Sequence, residues 1–138
     1  MSGLYKLIAN FLVAEEGEEF KVYLDSEGIP TIGVGRNLRD KGISEDESRL
    51  LLKNDIIECY RDLYDIFPNF DSFSSNRRVV LISMRFNLGL SGFKGFKEMI
   101  AAIQSDDWER AAVELLDSDR GRKLIERSKR EAEMLRGG

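Results

Sequence analysis

The chain predicts an α+β fold, a small β hairpin carried by a mostly helical body. Three observations lead there. Apolar residues recur at helical period over Gly3–Glu16 and again from Ser44 onward. Between them, Phe20–Leu24 and Pro30–Val34 are short runs of strand formers separated by Asp25-Ser26-Glu27-Gly28, a turn by composition. At 138 residues with 42% apolar and 33% charged residues, the chain is long enough for one domain with its own core, and disorder is excluded.

The first helix carries Leu4, Leu7, Ile8, Phe11, Leu12 and Glu15 on one stripe, and Gly17 follows as its left-handed stop. Periodicity centres Glu15 rather than Glu16 on that stripe, so helix geometry alone does not choose between the two acids. In the return strand, Gly33 and Gly35 leave backbone bare where a ligand can approach. Ser44-Glu45-Asp46-Glu47 is a capping box with Ile43 before it. The long helix it starts runs to about Phe67 and is stopped by Pro68. Leu52, Ile56, Cys59 and Leu63 form its apolar stripe with Asp55 on the same face, an acid that would need a partner if buried. A central helix then begins near Ser74–Asn76, carries Val79, Val80, Ile82, Met84 and Phe86, and ends at Gly89. Gly89–Gly92 reads as a hinge-like loop, and helices near 93–104, 107–117 and 121–136 complete the chain. The last is basic and reads as a solvated face, whereas Trp108 shares a helical stripe with Ala111, Ala112 and Leu115 and reads as core.

Composition removes whole classes of chemistry. With no histidine and the single cysteine Cys59, the chain has no zinc-type metal centre, no Ser-His-Asp or Cys-His catalysis and no internal disulfide. The glycines lack the spacing of a nucleotide fingerprint. Net charge is −4, divided unevenly. Residues 1–71 hold 8 basic against 15 acidic residues, and residues 72–138 hold 13 against 10. That excess is too small for a nucleic-acid partner. Leu4–Ala14 is interrupted by Lys6 and Asn10, too short and polar for a membrane span or a secretory leader, so no stable membrane insertion and no export signal are expected.

What remains is a pair of carboxylates. Glu16 closes a helix and Asp25 opens a hairpin turn, with Thr31 on the returning strand. One carboxyl that protonates a leaving oxygen and another that handles water or a developing cation suit the cleavage of a glycosidic bond.

These residues resemble a known family. Glu16-Gly17, Tyr23, Asp25, Gly28, Thr31, Ile32, Gly33 and Gly35 are similar to the signature of the bacteriophage-type lysozymes of glycoside hydrolase family 24, the T-even-type muramidases. The resemblance continues through Phe86-Asn87-x-Gly89, through Trp108 with Ala111-Ala112, and through the basic run from Arg127, covering nearly all of 4–138. It implies a lysozyme-like fold in a single domain spanning 1–138. A hairpin lobe at about 17–43 would be joined by the long helix to a helical lobe at about 68–138, which also takes helix 4–16. It further implies an endolysin-type muramidase that hydrolyses the β-1,4 link between N-acetylmuramic acid and N-acetylglucosamine in peptidoglycan, without a cofactor or metal. Glu16 would be the general acid, Asp25 the ionised partner and Thr31 the holder of water. Family precedent points to inversion, which needs carboxyls about 6.5–9.5 Å apart.

Phe86 and Asn87 are weighed evenly between glycan contact and packing. Arg127 matches the arginine that contacts the catalytic glutamate in the family; a cation there lowers a carboxyl's pKa, although a general acid needs it raised. Where the family has histidine after Gly35, this chain has Arg36, and an Arg36–Asp55 ion pair is expected to tie hairpin to helix. The acidic surface implies weaker steering toward an anionic wall. The implied setting is a monomer in the host cytoplasm before release to the wall, reached with the help of a holin-like membrane protein. The competing readings are a non-catalytic peptidoglycan-binding module on the same scaffold, a helical adaptor without sugar chemistry, and a lytic transglycosylase that needs only the glutamate.

Overall fold

The structure, a computed structural model, describes residues 2–138. The described residues form seven α-helices and a three-stranded antiparallel sheet, the expected α+β class. They divide into two compact units, one ending at Leu50 and one running from Leu51 to Gly138.

In the first unit, helix α1 (Ser2–Glu16) is closed by the Gly17 N–H donating to the Val13 carbonyl at 2.9 Å. Gly17, at φ 76°, takes the left-handed conformation that turns the chain out of the helix. Strand β1 (Glu19–Leu24) pairs with β2 (Pro30–Gly33), Tyr23 opposite Thr31 and Leu24 opposite Pro30, with an irregularity between Glu19 and Tyr23. The sequence predicted a two-stranded hairpin, and the structure adds a third strand. Gly33 and Gly35 both have positive φ (66° and 63°) and fold the chain back, so that β3 (Arg36–Asn37) pairs with Ile32 and Thr31. The capping box at Ser44 forms in full. The Glu47 N–H donates to Ser44 Oγ and the Ser44 N–H to Glu47 Oε1. Helix α2 (Glu45–Ile66) starts there and continues into the second unit.

The second unit is a helical bundle around an aromatic centre. Leu63, Phe67, Phe70, Leu81, Met84 and Phe93 are fully or almost fully buried. Phe73 meets Phe70 and Trp108 edge-on, with centroids 5.6 and 4.8 Å apart. Helix α3 (Ser75–Lys94) is capped by Ser74 and broken internally at Gly89 (φ 75°, ψ 169°), where the sequence placed a helix end. Helices α4 (Lys97–Gln104) and α5 (Trp108–Leu116) follow. Trp108 is buried, and its indole N–H donates to Asp106 Oδ1 at 2.8 Å. Asp106, at φ 58°, adopts the left-handed region that aspartate tolerates.

The single helix expected over 121–136 is two helices. They are α6 (Asp119–Lys123), with Ser118 as its cap, and α7 (Ile125–Gly137), separated by Leu124 at φ −113°, ψ 56°. The break lets Arg120 on α6 reach Glu131 on α7 through both guanidinium nitrogens, each side chain only 6% exposed. The C-terminal basic segment therefore encloses a buried ion pair as well as presenting a solvated face.

Candidate active site

Of the sequence-predicted residues, Glu16, Asp25, Thr31 and Arg36 lie in the first unit. Glu16 is the last residue of α1 and is exposed. Its side chain faces Gly35. A Cβ placed on Gly35 would stand 3.5 Å from Glu16 Oε2 and 3.7 Å from Glu16 Cβ. Helical periodicity left the choice between Glu15 and Glu16 open and the family signature made it; Glu16 is the one whose side chain faces Gly35.

Asp25 follows β1 and is half-buried at the start of an exposed turn. Its Oδ1 accepts from the Glu27 N–H at 2.8 Å and the Ile29 N–H at 2.9 Å, while the Gly28 N–H closes the turn on the Asp25 carbonyl at 2.9 Å. An aspartate bonding its own following backbone is the reason this residue type starts the turn. Gly28 at φ 77° supplies the left-handed residue that ends it.

Thr31 is buried, 4% exposed, and its hydroxyl donates to the Ile29 carbonyl at 2.8 Å. The same carbonyl accepts the Asp25 N–H at 3.0 Å. Ile29 is therefore a backbone hub that fixes Asp25 and Thr31 relative to one another. Sequence reading missed it because its contribution is made entirely by its peptide groups.

The expected Arg36–Asp55 pair is replaced by another. The Arg36 guanidinium grips Glu47 with two nitrogens, Nη1 to Oε1 and Nη2 to Oε2, both at 2.8 Å, and Nη1 also donates to the Gly42 carbonyl at 3.1 Å. Glu47 wins because the Ser44 cap already holds it at the start of α2, in the same folded segment as Arg36. Asp55 is exposed and needs no partner to offset burial. The Arg36 guanidinium, followed by the Ser44 N–H and hydroxyl, pulls the Glu47 pKa down to about 2. The signal for this pair was present as the Ser44-x-x-Glu47 box, which on its own specifies only a helix start.

Phe86, Asn87 and Arg127 lie in the second unit. Phe86, half exposed, lines an open apolar groove of about 590 Å³ with Leu52, Ile56, Tyr60, Val79 and Ile82. Asn87 is exposed beside it on α3. Arg127 donates to Ser83 Oγ at 3.1 Å and stands 3.7 Å from Glu131 Oε2. Neither Ser83 nor Glu131 was singled out as a functional residue from the sequence.

A family model described as phage lysozyme matches residues 13–133. A pre-baseplate central spike protein of Enterobacteria phage T4 is 28% identical over 132 aligned positions, which cover 75% of this chain and 23% of that protein. The chain thus spans less than a quarter of that relative. A probable T4-type lysozyme of Dictyostelium discoideum is 30% identical over 155 positions, covering 89% of both. An endolysin of Salmonella phage P22 is 37% identical over 92 positions, 61% of this chain and 62% of that protein.

Proposed function

The chain belongs to the phage lysozyme family, the muramidase-type glycoside hydrolases of peptidoglycan, and from that membership we propose that it hydrolyses the β-1,4 bond between N-acetylmuramic acid and N-acetylglucosamine. Glu16 donates a proton to the glycosidic oxygen as the bond to the anomeric carbon breaks. Asp25 enters the reaction ionised, stabilises the oxocarbenium-like transition state and becomes protonated as it takes a proton from the attacking water. Water enters on the face opposite the leaving group, so the product has inverted configuration.

The observation that carries this reading is the shared Ile29 carbonyl. Thr31 spends its only hydroxyl proton on that carbonyl, so its oxygen can act toward a water only as an acceptor. Both backbone bonds to the Asp25 carboxylate fall on Oδ1, which leaves Oδ2 to accept from a water. A water that donates one proton to Asp25 and the other to Thr31 has its lone pair directed away from both, toward an anomeric carbon. In the second unit, Phe86 and Asn87 are the proposed glycan contacts, with Phe86 offering an apolar platform to a sugar face. Arg127 is a supporting cation held by Ser83 and Glu131.

Among the described residues no helix is long and apolar enough to cross a membrane. On this reading the chain works as a monomeric endolysin, held in the host cytoplasm and reaching the wall through a lesion made by a holin-like membrane protein.

The test is reducing-end release from purified peptidoglycan, wild type beside Glu16→Gln. The wild type is expected to clear the substrate, and the variant to be slower by about 10²–10⁴-fold, the usual contribution of a general acid, with an unchanged circular dichroism spectrum. Equal rates would remove Glu16 from the mechanism. Binding without cleavage by either protein would favour the non-catalytic module, and anhydro-muramyl ends in the products would mean a lytic transglycosylase.

A further inference from the structure

We propose that the Arg36–Glu47 clasp is a positioning device for the proton donor, acting through Gly35; the inference rests on the hydrolase reading above. The expectation from sequence was a tie between hairpin and helix with little bearing on catalysis. The geometry gives it another task.

The Glu16 carboxyl has no side-chain partner among the described hydrogen bonds and ion pairs of the first unit, and it lies over Gly35, where a Cβ would stand 3.5 Å from Oε2. The placement of that backbone therefore sets where the proton sits. Gly35 is in the left-handed region (φ 63°) within a two-residue turn between β2 and β3. Such a turn has wide conformational freedom unless its flanks are pinned. On one side the pinning is the β2–β3 ladder, only two residue pairs long. On the other it is Arg36, the residue directly after Gly35.

Two hydrogen bonds from Nη1, to Glu47 Oε1 and to the Gly42 carbonyl, and an ion-pair contact from Nη2 to Glu47 Oε2 hold the Arg36 guanidinium. The loop those bonds close is itself fastened. Asn37 accepts the Asp40 N–H on its side chain and the Lys41 and Gly42 N–H groups on its carbonyl. Glu47 in turn is held by the Ser44 cap at the first turn of α2. Rigidity of a 22-residue helix thus passes through a planar, two-toothed contact to a glycine turn that would otherwise be loose, and from there to the Glu16 carboxyl. An arginine suits this position because its fork fixes direction as well as distance. Misplacing a reacting group by about 1 Å can cost about 10²-fold in rate.

The test is a cycle of Arg36→Met, Glu47→Gln and the double variant, with Arg36→Lys for rescue. Glutamine at 47 keeps the capping box, so α2 still starts correctly while the charged partner is lost. We expect Arg36→Met and Glu47→Gln each to lower kcat about tenfold with KM changed less than about twofold. The double variant should be no slower than Arg36→Met, and Arg36→Lys, which keeps the charge without the fork, should recover only part of the loss. Arg39→Met, which removes an exposed pair with Asp40 on the same loop, should leave kcat unchanged. Losses that multiply in the double variant, a kcat indifferent to Arg36→Met, or a loss that merely tracks the melting temperature would overturn the proposal.

A wild type that releases no reducing ends would instead overturn the hydrolase reading. The carbon-13 shift of the Glu16 carboxyl, compared between wild type and Arg36→Met, then decides positioning on its own. A displaced signal supports the clasp and an unmoved one refutes it.

Discussion

Replacing Thr31 by valine separates the structural use of this side chain from its proposed use in catalysis. Valine has nearly the same shape, so the buried site, 4% exposed, is left without a cavity. What folding loses is one hydroxyl bond to the Ile29 carbonyl, about 1 kcal/mol. That carbonyl remains satisfied because the Asp25 N–H still reaches it at 3.0 Å. In a chain of 138 residues such a loss lowers Tm by about 3–5 °C. The catalytic cost is larger. With a methyl group in place of the acceptor, the second proton of the attacking water is left unpaired in a partly desolvated site, worth about 2–3 kcal/mol in the transition state. That is a fall in kcat of about 30- to 150-fold. Thr31→Ser keeps the hydroxyl and should retain kcat within about threefold. Initial rates of reducing-end release at 25 °C, well below the melting transition of each variant, give the comparison. A valine variant within twofold of wild type, or a serine variant as slow as valine, would refute the role assigned to the hydroxyl.

Stability measurements test the rest. Glu131→Leu leaves Arg120 buried and, apart from its backbone, unmatched, and should cost about 3–5 kcal/mol in urea unfolding; Arg120→Met with Glu131→Leu together should restore stability to wild-type level or above, since an apolar pair avoids desolvating two charges. Gly121→Ala would bring a Cβ to 2.4 Å from the Leu115 carbonyl oxygen and 2.5 Å from that of Leu116; both are backbone atoms that cannot swing aside, and a loss of about 1–3 kcal/mol is expected in the same assay. Glu47 is depressed in the fold to about 2 from an ordinary 4.5. Its stabilisation is therefore complete above about pH 4.5 and is lost as pH falls toward 2, because the unfolded chain takes up the proton first. Glu47→Gln should flatten the fall of urea midpoint with pH in that window, and an unchanged slope would show that other carboxylates dominate it.

The parts of this protein that are legible along the chain are those made between near neighbours. The α1 stop at Gly17, the Asp25–Gly28 turn and the Ser44–Glu47 box each close hydrogen bonds within a few residues, and the break at Gly89 needs only that glycine's backbone freedom, so residue type and spacing specify them. Glu16, Asp25 and Thr31 could be nominated along the chain because their spacing over one helix end and one hairpin matches the family signature. Long, flexible, charged side chains behave differently. Arg36 had both Asp55 and Glu47 available in sequence, and nothing local ranks two acids that one guanidinium can approach. The fold chose Glu47 because a cap had already aimed it. Glu131 read as a member of one continuous basic helix over 121–136, with Arg120 just before it, until the turn at Leu124 folded the two together out of water. Helical periodicity alone did not separate Glu16 from Glu15, whose directions on the helix differ by about 100°; the family signature chose Glu16, and the fold adds that its side chain faces Gly35. Short backbone bonds are encoded by neighbours, whereas the partner of a side chain is decided by whatever the completed fold brings within its reach.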